Sequence, residues 1–251
     1  MILHKQSWFL FPQHNEMATK RLFCFHYAGG NAHIFYPWAK HLDPSIELIS
    51  VQLPGHGTRF TEPLFTSMDP LIDNLGTQIV DYLDRPYFFF GHSLGGLIAY
   101  ALTHYMQRNS LPLPDCLFVS GKTPPHFKTS DKISHLPDLD FLEEVKKYNG
   151  LPEEILQNQE LVEIWLPILR ADFQILETFI RPDDYKLSCD LMALGGVNDI
   201  MVTPSRVELW QDYTTACFKA LFFPGDHFFI NPQQTQVIEM ISKVMHERTL
   251  L

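Results

Sequence analysis

Apolar and polar positions divide the chain into short, nearly continuous apolar runs separated by stretches with helical spacing. The runs predict strands at 21–26, 47–52, 87–91, 115–120, 190–195 and 219–223. Runs this apolar suit strands covered on both faces. Apolar positions three or four apart predict helices at 35–41, 68–83, 97–107, 207–213 and 233–247. Strands alternating with helices imply a mainly parallel sheet flanked by helices, an α/β fold. Near the start, Trp8-Phe9-Leu10-Phe11 reads as an edge strand. It is too short for the apolar core of a signal peptide.

One interval breaks this rhythm. Between the strand ending near Ser120 and the one starting near Asp190 lie about 70 residues without a clear strand, far more than a crossover needs. Helical spacing recurs there at 139–148, 153–157 and 160–179, and Pro152 before Glu153 and Glu154 resembles a helix start. Residues 122–187 are therefore expected to form a helical insertion, a lid over the open end of the sheet, within a single domain of 1–251.

Composition narrows the class. With 251 residues, 45% of them hydrophobic, the chain can bury a sizeable core. No run of about 18 apolar residues marks a membrane span, so a cytoplasmic protein without membrane attachment is expected. A net charge of −10 argues against general binding to nucleic acid or anionic membranes. Cys24, Cys116, Cys189 and Cys217 lie in or beside apolar runs with no C-x-x-C pair, so buried, reduced thiols are expected, with neither disulfides nor zinc. No metal or cofactor is expected.

The chemistry centres on Phe88-Phe89-Phe90-Gly91-His92-Ser93-Leu94-Gly95-Gly96-Leu97. An apolar strand runs into a serine between two glycines and then into a helix. That is the context in which G-x-S-x-G marks a nucleophile on a sharp turn. Gly91 and Gly95 supply room that other side chains would fill. A serine needs a base, and the base an orienting acid, in the chain order serine, acid, histidine on this architecture. Of the 12 histidines, His227 follows a late strand on Pro224-Gly225-Asp226-His227, the place to deliver an imidazole to the top of the sheet. His92 lies within the turn and should point away from Ser93. His26, His33 and His56 precede the serine, and the others are expected in solvent. Asp199 ends the run Leu194-Gly195-Gly196-Val197-Asn198-Asp199 and is the candidate acid. Asp190 starts its strand at the wrong end, and Asp226 adjoins His227. For the oxyanion, the candidate donors are the backbone N–H groups of Leu94, just after the serine, and Ala28, in Phe25-His26-Tyr27-Ala28-Gly29-Gly30. Those glycines are not a phosphate loop, since neither G-x-G-x-x-G nor a Walker lysine is present. The loop Pro54-Gly55-His56-Gly57-Thr58-Arg59 is expected at the pocket rim, with His56 structural.

With these motifs in view, the chain resembles the stand-alone type II thioesterases of nonribosomal peptide and polyketide synthesis, of the α/β-hydrolase fold. The resemblance extends over most of the chain. It runs through the Phe25–Gly30 loop, Phe35-Tyr36-Pro37-Trp38, the Gln52–Arg59 loop, the serine turn and Leu166-Pro167-Ile168-Leu169-Arg170-Ala171-Asp172-Phe173, which is similar to the family's lid helix. It also covers the loops of Asp199 and His227. His26, His56 and Asp226 depart from the family's usual proline, arginine and glycine. The resemblance implies Ser93, Asp199 and His227 as triad, with Ala28 and Leu94 as oxyanion donors. It implies acyl groups carried as thioesters on the phosphopantetheine arm of an acyl or peptidyl carrier protein, and an enzyme that clears stalled or misprimed groups. A monomer is expected. Arg170, Phe173 and Phe179 would form the lid's inner face, unless the helix simply packs on the core. A general carboxylesterase acting on free esters and a catalytically silent docking module are the alternatives.

Overall fold

The computed structural model describes residues 7–127, 132–147, 158–180 and 186–247. Seven strands form one sheet: β1 (Phe9–Leu10), β2 (Lys20–Phe25), β3 (Ile46–Val51), β4 (Tyr87–His92), β5 (Cys116–Ser120), β6 (Asp190–Gly196) and β7 (Phe218–Phe223). Their order is β1-β3-β2-β4-β5-β6-β7. Only β1 is antiparallel, pairing with β3 as the expected edge strand. This is the α/β-hydrolase arrangement that the resemblance implied.

Side chains alternate across a strand, so the apolar runs feed two cores. Phe23, Phe25, Phe89, Leu117, Val119 and Leu191 pack on one face with α1 (Met68–Ile79) and α2 (Leu94–Arg108). Cys24, Phe88, Phe90, Phe118, Met192 and Leu194 pack on the other. Their cover there is the 3-10 helix Ala32–Lys40 and the last helix, Gln234–Glu247.

Several expectations shift in detail. The helix predicted at 35–41 is 3-10 and starts at Ala32, with Pro37 inside it. Proline has no N–H to give to an α-helical ladder. The helix predicted at 97–107 starts at Leu94, directly after the serine. Helix 68–83 is α-helical to Ile79 and then 3-10, and 207–213 divides into α-helix Pro204–Glu208 and 3-10 helix Leu209–Tyr213. Cys24, Cys116 and Cys189 are buried free thiols, but Cys217 is exposed, because it lies on the turn that enters β7 rather than in a strand. His104, expected in solvent, is buried on the core side of α2.

Within 122–187, the described residues hold α3 (Asp138–Lys146) and α4 (Gln159–Thr178). The helix expected at 153–157 lies outside the described residues. Ile133, Phe141, Val145, Leu169 and Phe173 form a small core of their own between these helices. Arg170 does not face inward. Its guanidinium donates to the carbonyls of Ser134 and Leu136, pairs with Asp138 at 2.7 Å and lies over the Phe141 ring. Phe173 is buried in this small core, and Phe179 packs against the main one. Among the described residues, no helix is long and apolar enough to cross a membrane.

Candidate active site

The chain passes from β2 to β3 on one side and then to β4 on the other, so a crevice forms at the carboxyl ends of β2 and β4. Open α/β sheets bind ligands at such a switch point. The loop carrying Ala28 leaves β2 there, and Ser93 leaves β4.

Ser93 has φ 53° and ψ −114°, a positive φ that a residue with a Cβ adopts only at a cost of about 1–3 kcal/mol. The turn is held from below, where Ser93 N–H donates to Ser120 O at 2.8 Å. It closes so tightly that a Cβ on Gly91 would stand 2.1 Å from Gly95 O, and one on Gly95 only 2.0 Å from Phe25 O. Both glycines are therefore required by contact, as the motif predicts. Ser93 is half-buried.

Asp199 and His227 meet as a buried pair, Nδ1 to Oδ2 at 2.7 Å. Neighbouring strands β6 and β7 deliver them, and the two loops are knit by Val197 N–H to Phe223 O and Asn198 N–H to Gly225 O, each 2.9 Å. The other Asp199 oxygen accepts N–H groups of Met201 and Val202, both at 2.9 Å. The carboxylate is thereby fixed, and an imidazole Nδ1–H facing it leaves Nε2 as the basic nitrogen. The competitors are engaged elsewhere. Asp190 accepts Cys217 N–H at the far end of β6, and Asp226 accepts Phe228 N–H within its own turn.

His92 is buried, with Nδ1 2.9 Å from Ser120 Oγ. Burial, with His227 close by, holds it well below its ordinary value, so it stays neutral.

Leu94 is the first residue of α2, and the first N–H groups of a helix have no intrahelical acceptor. On the β2 loop, Gly30 N–H goes to Tyr27 O at 3.0 Å and Gly29 N–H to Asp172 Oδ2 at 2.7 Å. Asp172 comes from α4, and the same oxygen lies 3.1 Å from His56 Nε2. His56 is buried beneath this helix, as fits a structural residue. Burial lowers its pKa, but the Asp172 charge and hydrogen bond outweigh that and leave it above its ordinary 6.5. Neither partner of this contact stands out in the sequence. The available signal was a carboxylate inside the apolar stripe Ile168, Leu169, Ala171, Phe173, Ile175, since a buried aspartate is rare unless paired.

A cavity of about 370 Å³ opens between the end of α4 and α2, with Leu97, Lys122, Phe127, Leu176 and Phe179 in its walls. Leu97 lies one turn of α2 beyond Ser93.

A strained serine, a buried aspartate–histidine pair and a helix N-terminus at one end of a parallel sheet define a serine hydrolase of the α/β type. The chain belongs to the thioesterase family, whose domain model matches residues 20–245. It is 38% identical over 242 residues to the linear gramicidin dehydrogenase LgrE of Brevibacillus parabrevis, covering 95% of this chain and 92% of that one. Among solved structures it is similar to RedJ, a thioesterase from the prodiginine pathway of Streptomyces coelicolor, with 33% identity, TM-score 0.85 and 90% of each chain covered. It is similar also to YbtT, a type II thioesterase from the yersiniabactin NRPS/PKS pathway, with 25% identity, TM-score 0.87, and 96% and 99% covered. The chain is a thioester hydrolase of the serine type.

Proposed function

We propose that this enzyme hydrolyses acyl groups from the phosphopantetheine thioesters of carrier proteins, clearing stalled or misprimed groups in nonribosomal peptide or polyketide synthesis. The observation that carries the chemistry is the buried Asp199–His227 pair at the same end of the sheet as a serine held at positive φ. The pathways of RedJ and YbtT support the substrate class.

Ser93 Oγ attacks the thioester carbonyl while His227 Nε2 takes its proton. The N–H groups of Ala28 and Leu94 stabilise the oxyanion. The C–S bond breaks, and the pantetheine thiol leaves with the proton returned by His227. Water, deprotonated by the same imidazole, then attacks the acyl-enzyme, and the carboxylic acid leaves as Ser93 regains its proton. Asp199 holds the imidazole tautomer and stabilises the imidazolium. No step calls on a metal or cofactor.

Residues 122–187 act as the lid, with α3 and α4 over the carboxyl end of the sheet. The cavity beside Leu97 gives room for an acyl chain or the pantetheine arm. The enzyme works as a cytoplasmic monomer. Carrier proteins of this class are acidic, and with a net charge of −10 the enzyme meets them through local patches rather than long-range attraction.

A serine-directed fluorophosphonate should label Ser93 stoichiometrically, and turnover of an acyl-pantetheine should exceed that of a short-chain aryl ester. Labelling with ester turnover alone would make it a carboxylesterase. An unlabelled Ser93 would make it a docking module.

A further inference from the structure

The helix α4 reaches the loop after β2 with one carboxylate. Asp172 is buried, and its Oδ2 serves Gly29 N–H and His56 Nε2 together. His56 Nδ1 lies 2.9 Å from Pro54 O. A ring whose two nitrogens both face acceptors carries a proton on each, so His56 is the imidazolium partner of a buried ion pair. The helix also packs on the same loop. A Cβ on Gly29, which has φ +72°, would stand 2.6 Å from Leu169 Cδ2, and Ala28 packs against the core that α3 and α4 share.

These contacts clamp the peptide that bears the Ala28 N–H. In a trans peptide the C=O and N–H point in opposite directions. Tyr27 O is the acceptor for Gly30 N–H at 3.0 Å and His26 Nδ1 at 2.9 Å, which aims the Ala28 N–H the other way. The next N–H along, that of Gly29, is fixed by Asp172. His26 lies against His56, ring centres 4.9 Å apart, and burial with the neighbouring His56 charge keeps it neutral, at about 4.

We propose that Asp172 and His56 are positioning residues for the oxyanion hole. Their buried ion pair pins the Ala28–Gly29 backbone, and it makes completion of the hole conditional on the docked lid helix. A buried carboxylate is tolerated only when its partners are in place, so undocking the helix releases the loop. This inference rests on the reading of Ser93 as nucleophile and Ala28 as donor.

The test measures Asp172→Ala, Asp172→Asn and His56→Gln on whichever acyl donor, thioester or aryl ester, the wild type turns over. Losing a positioned oxyanion donor costs about 100-fold or more in kcat. Asp172→Ala is therefore expected to lose about 100-fold in kcat with KM within about threefold. Affinity for a trifluoromethyl ketone, which becomes an oxyanion on adding to Ser93, should fall by the same factor, while a non-reacting amide analogue binds as before. His56→Gln keeps a donor to Asp172 without its charge and should lose about tenfold. Should Asp172→Ala fail to fold, the near-isosteric Asp172→Asn and His56→Gln carry the same test. Folded variants with wild-type kcat overturn the proposal, as do variants that lose ketone and amide affinity together. A wild type without Ser93-dependent turnover of any donor overturns the functional reading instead, and this inference with it.

Discussion

Both oxygens of Asp199 are committed, one to His227 and the other to two backbone N–H groups. An amide in its place must turn its NH₂ toward either the imidazole or those N–H groups. Asp199→Asn is therefore expected to lower kcat by about 10⁴-fold, by favouring the wrong imidazole tautomer, with little change in fold. Steady-state kinetics beside a circular dichroism melt checks both parts. The buried histidines give the enzyme an acid-sensitive limb. His26 titrates at about 4 when folded against an ordinary 6.5, so the unfolded chain binds the proton first as pH falls. Stability present at neutral pH is then lost between about 6.5 and about 4. His92 adds to that loss, being held well below its ordinary value. His56 has the opposite sign. Its contribution is complete below 6.5 and is lost as pH rises through its raised value. Melting temperature should fall on acidification across that window, and less so in His26→Gln. The glycine-flanked turn of Ser93 and the loops of Asp199 and His227 were legible in the sequence because each follows an apolar strand. Asp172 and His56 were not legible as partners, because a contact across 116 positions leaves no local pattern.

Strands were easier to read than helix ends. Doubly covered strands announce themselves as apolar runs such as Phe88-Phe89-Phe90, whose rings divide between the two cores. The helix after Ser93 reads as starting at Leu97 because Gly95 and Gly96 are poor helix formers. Gly95 stands in its first turn because the helix lies on the end of β2, and Gly96 lies over Gly91 of β4 and Val119 of β5. The two glycines are not equivalent. A Cβ on Gly95 would stand 2.0 Å from the Phe25 carbonyl, backbone that cannot move aside, whereas on Gly96 the nearest atoms are at 3.0 Å and 3.1 Å. Gly95→Ala is expected to cost at least about 1–3 kcal/mol and to abolish turnover, and Gly96→Ala less than that. Denaturant midpoints of the two variants, measured side by side, decide it. The 3-10 helix at Ala32–Lys40 follows the same logic. Its aromatic spacing is visible in sequence, but its tighter winding depends on Pro37 and on packing against β3.

At the scale of the molecule, the loops after β2, β4, β6 and β7 place Ala28, Ser93, Asp199 and His227 at the same end of the sheet, where the chain switches between β2 and β4. The insertion between β5 and β6 lays α4 on the first of these. The sheet was legible because each strand is locally apolar, and the loops of the candidate site because each follows one. The placement of α4 was legible only as an interval too long for a crossover, because its docking depends on contacts with segments far away in the chain. The proposal that this end of the sheet hydrolyses carrier-bound thioesters through Ser93 stands or falls on release of acetyl and longer acyl groups from a holo carrier protein, wild type beside Ser93→Ala. Turnover is expected from the wild type and none above background from the variant. Brisk cleavage of free esters with every acyl-carrier left intact would overturn the proposal.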